Sequence, residues 1–320
     1  MKSKPLGGSG IEISSIIMGT WQAGKTMWTG IDDNDTRKAL REAYDSGITT
    51  FDTATVYGDG HSERMVGNAL KDIRKHVVIA TKVFANRLNY DGVMSSCERS
   101  LKDLGTDWID LYQIHWPAGS FGSRIVPVEE TMNAMNTLKV QGKIRSIGVS
   151  NFSREQLEEA SQYGQIDSLQ PPYSLFWRHI ETDILPYCNE NSITVLAYSP
   201  MAQGFLTGKF GPDHQFEKGD HRSKSRLFKP QHYQRIQDAL NRLKPIADKN
   251  GLNLAQLALA WVTSHEAACA IAGARNAAQV RENAAAGDSV LSDEDMVEMD
   301  RIGRRVTDHI KIDNAVMWEF

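Results

Sequence analysis

Short apolar runs rich in β-branched residues alternate along the chain with segments whose apolar positions recur at helical spacing. The runs are residues 15–19, 48–52, 77–82, 108–115, 144–150, 166–170, 194–199 and 269–273. Between them, Val93, Cys97, Leu101 and Leu104 line one helix face. Val128, Met132 and Met135 do the same, as do Leu254, Leu257, Ala258 and Trp261. Gly47, Gly105, Gly142 and Gly164 stand where a helical segment gives way to the next run, and glycine takes a left-handed helix cap at little cost. Eight repeats of strand, helix and strand predict parallel strands with right-handed crossovers, which close into a (β/α)8 TIM barrel. An open doubly wound sheet is the alternative, weakened because no G-x-G-x-x-G follows any run.

Two regions fall outside the repeat. Residues 4–14, KPLGGSGIEIS, predict an N-terminal β-hairpin covering one end of the barrel. Residues 200–230 form a long loop after the seventh strand, of the kind that is usually functional. That loop is locally basic, with Lys209, Lys218, Arg222, Lys224, Arg226 and Lys229 against Asp213, Glu217 and Asp220. No linker or low-complexity stretch interrupts the pattern, so residues 1–320 are read as a single barrel domain.

Composition changes this picture little. Of 320 residues, 41% are hydrophobic and 24% charged, with a net charge of −4, giving no general reason to expect nucleic acid or membrane partners. Three scattered cysteines, Cys97, Cys188 and Cys269, without a C-x-x-C, fit a reducing cytoplasm. The start lacks the apolar core of a secretory signal, and the richest apolar segment, LNLAQLALAWV, is too short to span a bilayer. His61 and Glu63 have no further ligands at metal-binding spacing, so no metal site is expected. Neither H-E-x-x-H nor G-x-S-x-G occurs.

Candidate chemistry collects at the strand ends, which build the active site of such barrels. Asp52, Lys82 and His115 end the second, third and fourth runs, and Tyr57 follows in the adjoining loop. Ser150 and Asn151 end the fifth, Gln170 the sixth, Tyr198 and Ser199 the seventh. A phenol has an ordinary pKa of about 10; a lysine ammonium beside it is expected to lower that value, with the Asp holding the Lys. Such a group can protonate a carbonyl oxygen, and the hydride must then come from a nicotinamide or flavin.

The stretches FDTATVYGDGHSERMVGNAL, VVIATKV, TDWIDLYQIHWP, GKIRSIGVSNFS, LAYSPMAQGFLTGK and IAGARNAAQVREN resemble the aldo-keto reductase superfamily along nearly the whole chain. They are most similar to the bacterial branch that includes inositol-utilisation reductases and relatives of potassium-channel β-subunits. The resemblance implies a barrel that binds NADPH without a Rossmann motif, a tetrad of Asp52, Tyr57, Lys82 and His115, and Tyr57 as general acid. It implies that Ser150, Asn151 and Gln170 hold the nicotinamide carboxamide and that Tyr198, followed by Ser199, stacks on the ring. Leu206 to Lys209, with Gly208 between, match the stretch that folds over the pyrophosphate, and Lys209 is its charged member. At the adenine end Gly273 and Ala274 replace the usual Lys-Ser pair, Arg275 is the phosphate partner, and Gln279 and Asn283 match adenine-side positions. Loss of that Lys leaves the strength of NADP preference over NAD unfixed.

Trp21 and Trp116 are candidate substrate contacts, with Trp28 and Trp318 as further aromatics of the mouth. The expected partner is a small-molecule carbonyl or polyol, and no protein partner is indicated. Three functions stay open: a carbonyl reductase that can also run as a polyol or sugar dehydrogenase, a cofactor-sensing regulatory subunit, and a Schiff-base aldolase using Lys82.

Overall fold

The computed structural model describes residues 1–26, 28, 30–211, 214–217 and 220–310. Lys218, Asp213 and Trp318, named above, lie outside the described residues. Eight parallel strands close into a barrel in chain order. They are β3 (Ile16–Gly19), β4 (Thr50–Asp52), β5 (Val78–Val83), β6 (Ile109–Ile114), β7 (Ile144–Ser150), β8 (Ser168–Gln170), β9 (Thr194–Ala197) and β10 (Ala268–Gly273). β10 pairs with both β9 and β3, so the sheet has no free edge.

Helices wrap the outside: α1 (Asp33–Asp45), α2 (His61–Leu70), α3 (Tyr90–Leu104), α4 (Val128–Val140), α5 (Arg154–Ser161) and α6 (Ile184–Glu190). They continue with α7 (Pro230–Lys249), α8 (Leu254–Ser264), α9 (Ala277–Ala285) and α10 (Asp293–Thr307). Strand alternation explains why two apolar clusters form. Outward residues such as Tyr112 and Ile114 join the large layer between strands and helices, while inward Leu111 joins a small cluster inside the barrel.

That inner cluster is closed from below by the predicted hairpin, β1 (Ser3–Pro5) paired antiparallel with β2 (Glu12–Ser14). Leu6 and Ile13 of the hairpin region pack there against Ile17, Ala80, Leu196, Cys269 and Ile271. The Lys4 ammonium donates to the carbonyls of Thr263, His265 and Ala268 at 2.7–2.8 Å, tying the hairpin to the entry of β10. Gly47, Gly105 and Gly142 take the expected left-handed cap, with φ of 85°, 64° and 73°. Gly164 does not take that cap; it packs closely on α4, where a Cβ would lie 2.9 Å from Asn136 Oδ1. Among its described residues, the 200–230 connection contains the short 3-10 turns Ala202–Thr207, His221–Lys224 and Arg226–Phe228. Among the described residues, no helix is long and apolar enough to cross a membrane, and no group of His, Cys, Asp and Glu could hold a metal ion.

Candidate active site

The C-terminal ends of β4, β5 and β6 bring Asp52, Lys82 and His115 side by side, all at least nine-tenths buried. The Lys82 ammonium donates to Asp52 Oδ1 at 2.6 Å and to the Thr53 carbonyl at 2.7 Å. Its third contact is the Tyr57 hydroxyl at 3.5 Å. The ammonium occupies a lone pair of the phenol oxygen, which leaves the phenolic hydrogen for another acceptor. The His115 ring stands edge-on to Tyr57 with centroids 5.8 Å apart.

Tyr57 lies on a loop whose path is set by glycines. Gly58 has φ of 66°, and a Cβ on it would lie 2.3 Å from the Gly24 carbonyl oxygen. A Cβ on Gly24 would in turn meet the Tyr57 carbonyl carbon at 2.5 Å. Beyond the loop, the Ser62 hydroxyl bonds those of Thr20 and Thr53, pinning the start of α2 to the ends of β3 and β4.

Electrostatics follow from burial. Desolvation raises the Tyr57 hydroxyl well above its ordinary pKa, and the Asp52 and Tyr198 charges push the same way. The expected lowering by Lys82 is therefore overturned in this arrangement: Asp52 neutralises the ammonium, and desolvation outweighs what remains. Burial likewise lowers Lys82, opposed by Asp52. Desolvation, then the Lys82 charge, holds His115 well below the usual imidazole value, so it is neutral near pH 7.

The expected carboxamide residues meet on the opposite side of the mouth. Ser150 Oγ donates to the Gln170 carbonyl at 2.8 Å. The Asn151 amide donates to Ser150 Oγ at 3.0 Å and to the His115 carbonyl at 3.1 Å, and accepts from the Tyr198 hydroxyl at 2.9 Å. Gln170 Nε2 donates to Asp52 Oδ2 at 2.9 Å. Left-handed backbone at Asn151 (φ 61°) and Ser199 (φ 53°) turns the chain out of β7 and β9. These amide and hydroxyl groups suit a carboxamide, which would take over bonds they now make to one another.

Farther along the same loop, Gly208 and Lys209 are exposed while Leu206 is buried. Arg275 is exposed at the N-terminus of α9, its backbone N–H donating to Gln279 Oε1 at 2.8 Å. Asn276 caps that helix, and Asn283 Nδ2 donates to the Gly273 carbonyl at 3.3 Å. A guanidinium beside a helix N-terminus fits a phosphate. A Cβ on Gly273 would lie 2.5 Å from Gln22 Oε1, so the Gln22 amide packs directly over this glycine.

Aromatic rings wall the mouth. Trp21 lies 6.4 Å from Tyr57 and 5.5 Å from Trp28. Trp116 meets Phe121 edge-on at 5.1 Å, Phe121 stacks on Phe84 at 5.6 Å, and Phe84 meets His115. Phe121 is 54% exposed and has φ of 55°, a costly backbone for a bulky residue and of the kind that collects at functional sites. Phe84 and Phe121 escaped the sequence reading. Phe84 could have been found from its position two residues after Lys82, just beyond the end of β5.

Residues 15–304 match the family model described as "Aldo/keto reductase family". The NADH-specific methylglyoxal reductase of Escherichia coli is 35% identical, the alignment covering 93% of this chain and 97% of that protein. The structure of glycerol dehydrogenase AKR11B4 from Gluconobacter oxydans is 32% identical with a TM-score of 0.88, covering 98% of each chain. That of an aldo-keto reductase from Klebsiella pneumoniae in complex with NADPH is 31% identical with a TM-score of 0.76, covering 100% of each.

Proposed function

Because the chain belongs to the aldo/keto reductase family, we propose that it reduces an aldehyde or ketone to an alcohol with NADPH, and that Tyr57 protonates the carbonyl oxygen. The observation that carries this reading is the Lys82 ammonium, bound to Asp52 at 2.6 Å and reaching the Tyr57 oxygen at 3.5 Å. When bound, a nicotinamide supplies the hydride. Ser150, Asn151, Gln170 and Tyr198 would hold its carboxamide and ring, and Arg275 with the α9 N-terminus its adenosine phosphate.

Tyr57 gives its phenolic proton to the substrate oxygen as negative charge grows there. The phenolate so formed faces Lys82, whose charge Asp52 keeps in place. Neutral His115 orients the carbonyl by a hydrogen bond without adding charge. The rings around Tyr57 exclude water and favour an apolar or aromatic substrate body. Arg275 supports NADP, while the NADH-specific relative in E. coli supports a measurement of both cofactors. The proposal places this activity in the cytoplasm, on a small molecule.

The glycerol dehydrogenase likeness favours a second direction, in which the Tyr57 phenolate takes the proton of a polyol hydroxyl. Both directions are tested by nicotinamide absorbance, using aldehydes and diketones with NADPH or NADH, and polyols with the oxidised forms. Tyr57→Phe is expected to lower the rate by about 10²–10⁴, the usual worth of a positioned acid, with cofactor quenching of protein fluorescence retained. Equal rates in the two proteins would sink the role of Tyr57.

A further inference from the structure

Gln113 lies on β6, fully buried and pointing into the barrel two residues before His115. Its Nε2 donates to Asp52 Oδ2 at 3.3 Å, and its Oε1 accepts from Gln170 Nε2 at 3.2 Å. Asp52 and Gln170 end the second and sixth barrel strands and Gln113 stands one residue before the end of the fourth, so they form one layer of side chains from alternate strands. Such layers are normally apolar. Here three polar groups saturate one another directly beneath the mouth. β7 makes room for the span: a Cβ on Gly148 would lie 3.0 Å from Gln113 Cγ and 2.3 Å from Ser168 Oγ.

We propose that Gln113 is a positioning residue that acts through Asp52 and Gln170, coupling the proton-donating end of the site to the nicotinamide end. This rests on the reading of Tyr57, Lys82 and Asp52 given above. A glutamine is suited to both tasks because it carries a donor and an acceptor on one rigid amide. Its donor, with that of Gln170, disperses the charge on Asp52 Oδ2 while Oδ1 faces Lys82. Its acceptor takes an amide hydrogen of Gln170, which, with the bond to Asp52 Oδ2, holds the Gln170 Nε2 towards these two partners. Leucine at position 113 keeps the volume and loses both bonds.

The charge argument has a sign. Asp52 raises the Tyr57 pKa, so removing a donor from Asp52 strengthens that push and the Asp52 hold on Lys82. Both effects make the phenol a weaker acid. The other titratable groups facing this cluster are His115 and Tyr198 at the mouth, and Glu63 of α2 behind Lys82. All three are unchanged in the variant.

The experiment is the pH profile of kcat for carbonyl reduction by the full-length protein, wild type beside Gln113→Leu and the isosteric Gln113→Glu. For Gln113→Leu, kcat is expected to fall by about tenfold, a share of what a positioned acid supplies, and its alkaline limb to move to higher pH. For Gln113→Glu, two carboxyls in contact cannot both ionise freely. An additional ionisation absent from wild type should therefore enter the profile. Variant profiles that superimpose on wild type, or an activity loss that tracks only loss of folded protein with both limbs in place, overturn the inference. A wild type without turnover on any carbonyl instead overturns the reading on which it rests. Gln113→Glu carries the test should Gln113→Leu fail to fold.

Discussion

At the residue scale, His115 shows how burial sets chemistry. Burial and the nearby Lys82 charge keep it neutral in the folded protein, whereas in the unfolded chain an imidazole takes up a proton below about pH 6.5. Unfolding therefore binds a proton at acid pH, and the folded state loses stability as pH falls below that value. His179, held down to about 4 by burial, and His265 contribute with the same sign. His115→Gln should remove one share of the acid-side slope, up to about 1.4 kcal/mol per pH unit. Urea unfolding between pH 5 and 7 measures it; parallel slopes would show that His115 is not the titrating group. The placing of Asp52, Lys82 and His115 together at one mouth was legible because each ends an apolar run. Gln113 and Phe84 were passed over, although each stands two positions from one of them, near or just beyond the end of a strand.

At the element scale, the loop from β4 to α2 depends on backbone contact more than on side chains. Gly58 is left-handed and packs against the Gly24 carbonyl, so a methyl group there meets both strain and overlap. Gly58→Ala should cost about 2 kcal/mol of stability and lower kcat further by displacing Tyr57, while NADPH binding at the Arg275 end holds. Thermal melts with steady-state kinetics test this. A variant with wild-type kcat would show that the contact does not position the phenol. The eight strands themselves were legible from apolar runs, but the runs overreach. The second run, 48–52, yields a strand of Thr50–Asp52, and the seventh, 194–199, one of Thr194–Ala197. The second run begins before its ladder does, and the seventh continues beyond its ladder to where left-handed Ser199 turns the chain away.

At the scale of the whole molecule, the two ends of the barrel have different tasks. The lower end is closed by the hairpin, where Lys4 donates to the carbonyls of Thr263, His265 and Ala268, the second of which also accepts from the Ala268 N–H at 3.1 Å. Lys4→Ala should cost about 1–2 kcal/mol, the price of partly buried acceptors losing a charged donor. kcat and cofactor affinity should be unchanged, because the chemistry sits at the opposite end. Denaturant unfolding beside kinetics on the folded enzyme checks this, and a fall in kcat would reveal coupling between the ends.

The amino-acid sequence by itself determined the barrel, its hairpin and the residues placed at the strand ends, because apolar alternation and glycine placement are local properties that survive without a fold. Tertiary structure decided which way those residues act. Desolvation, invisible in sequence, raises the Tyr57 phenol where its neighbours alone suggested lowering. Closure of the sheet brings Gln113, Gln170 and Asp52 into one layer from strands separated by up to 118 positions. The aromatic wall from Trp116 through Phe121 to Phe84 forms only because two loops cross the same mouth. Pair distances and dielectric surroundings are properties of the closed barrel, and no reading of single positions contains them.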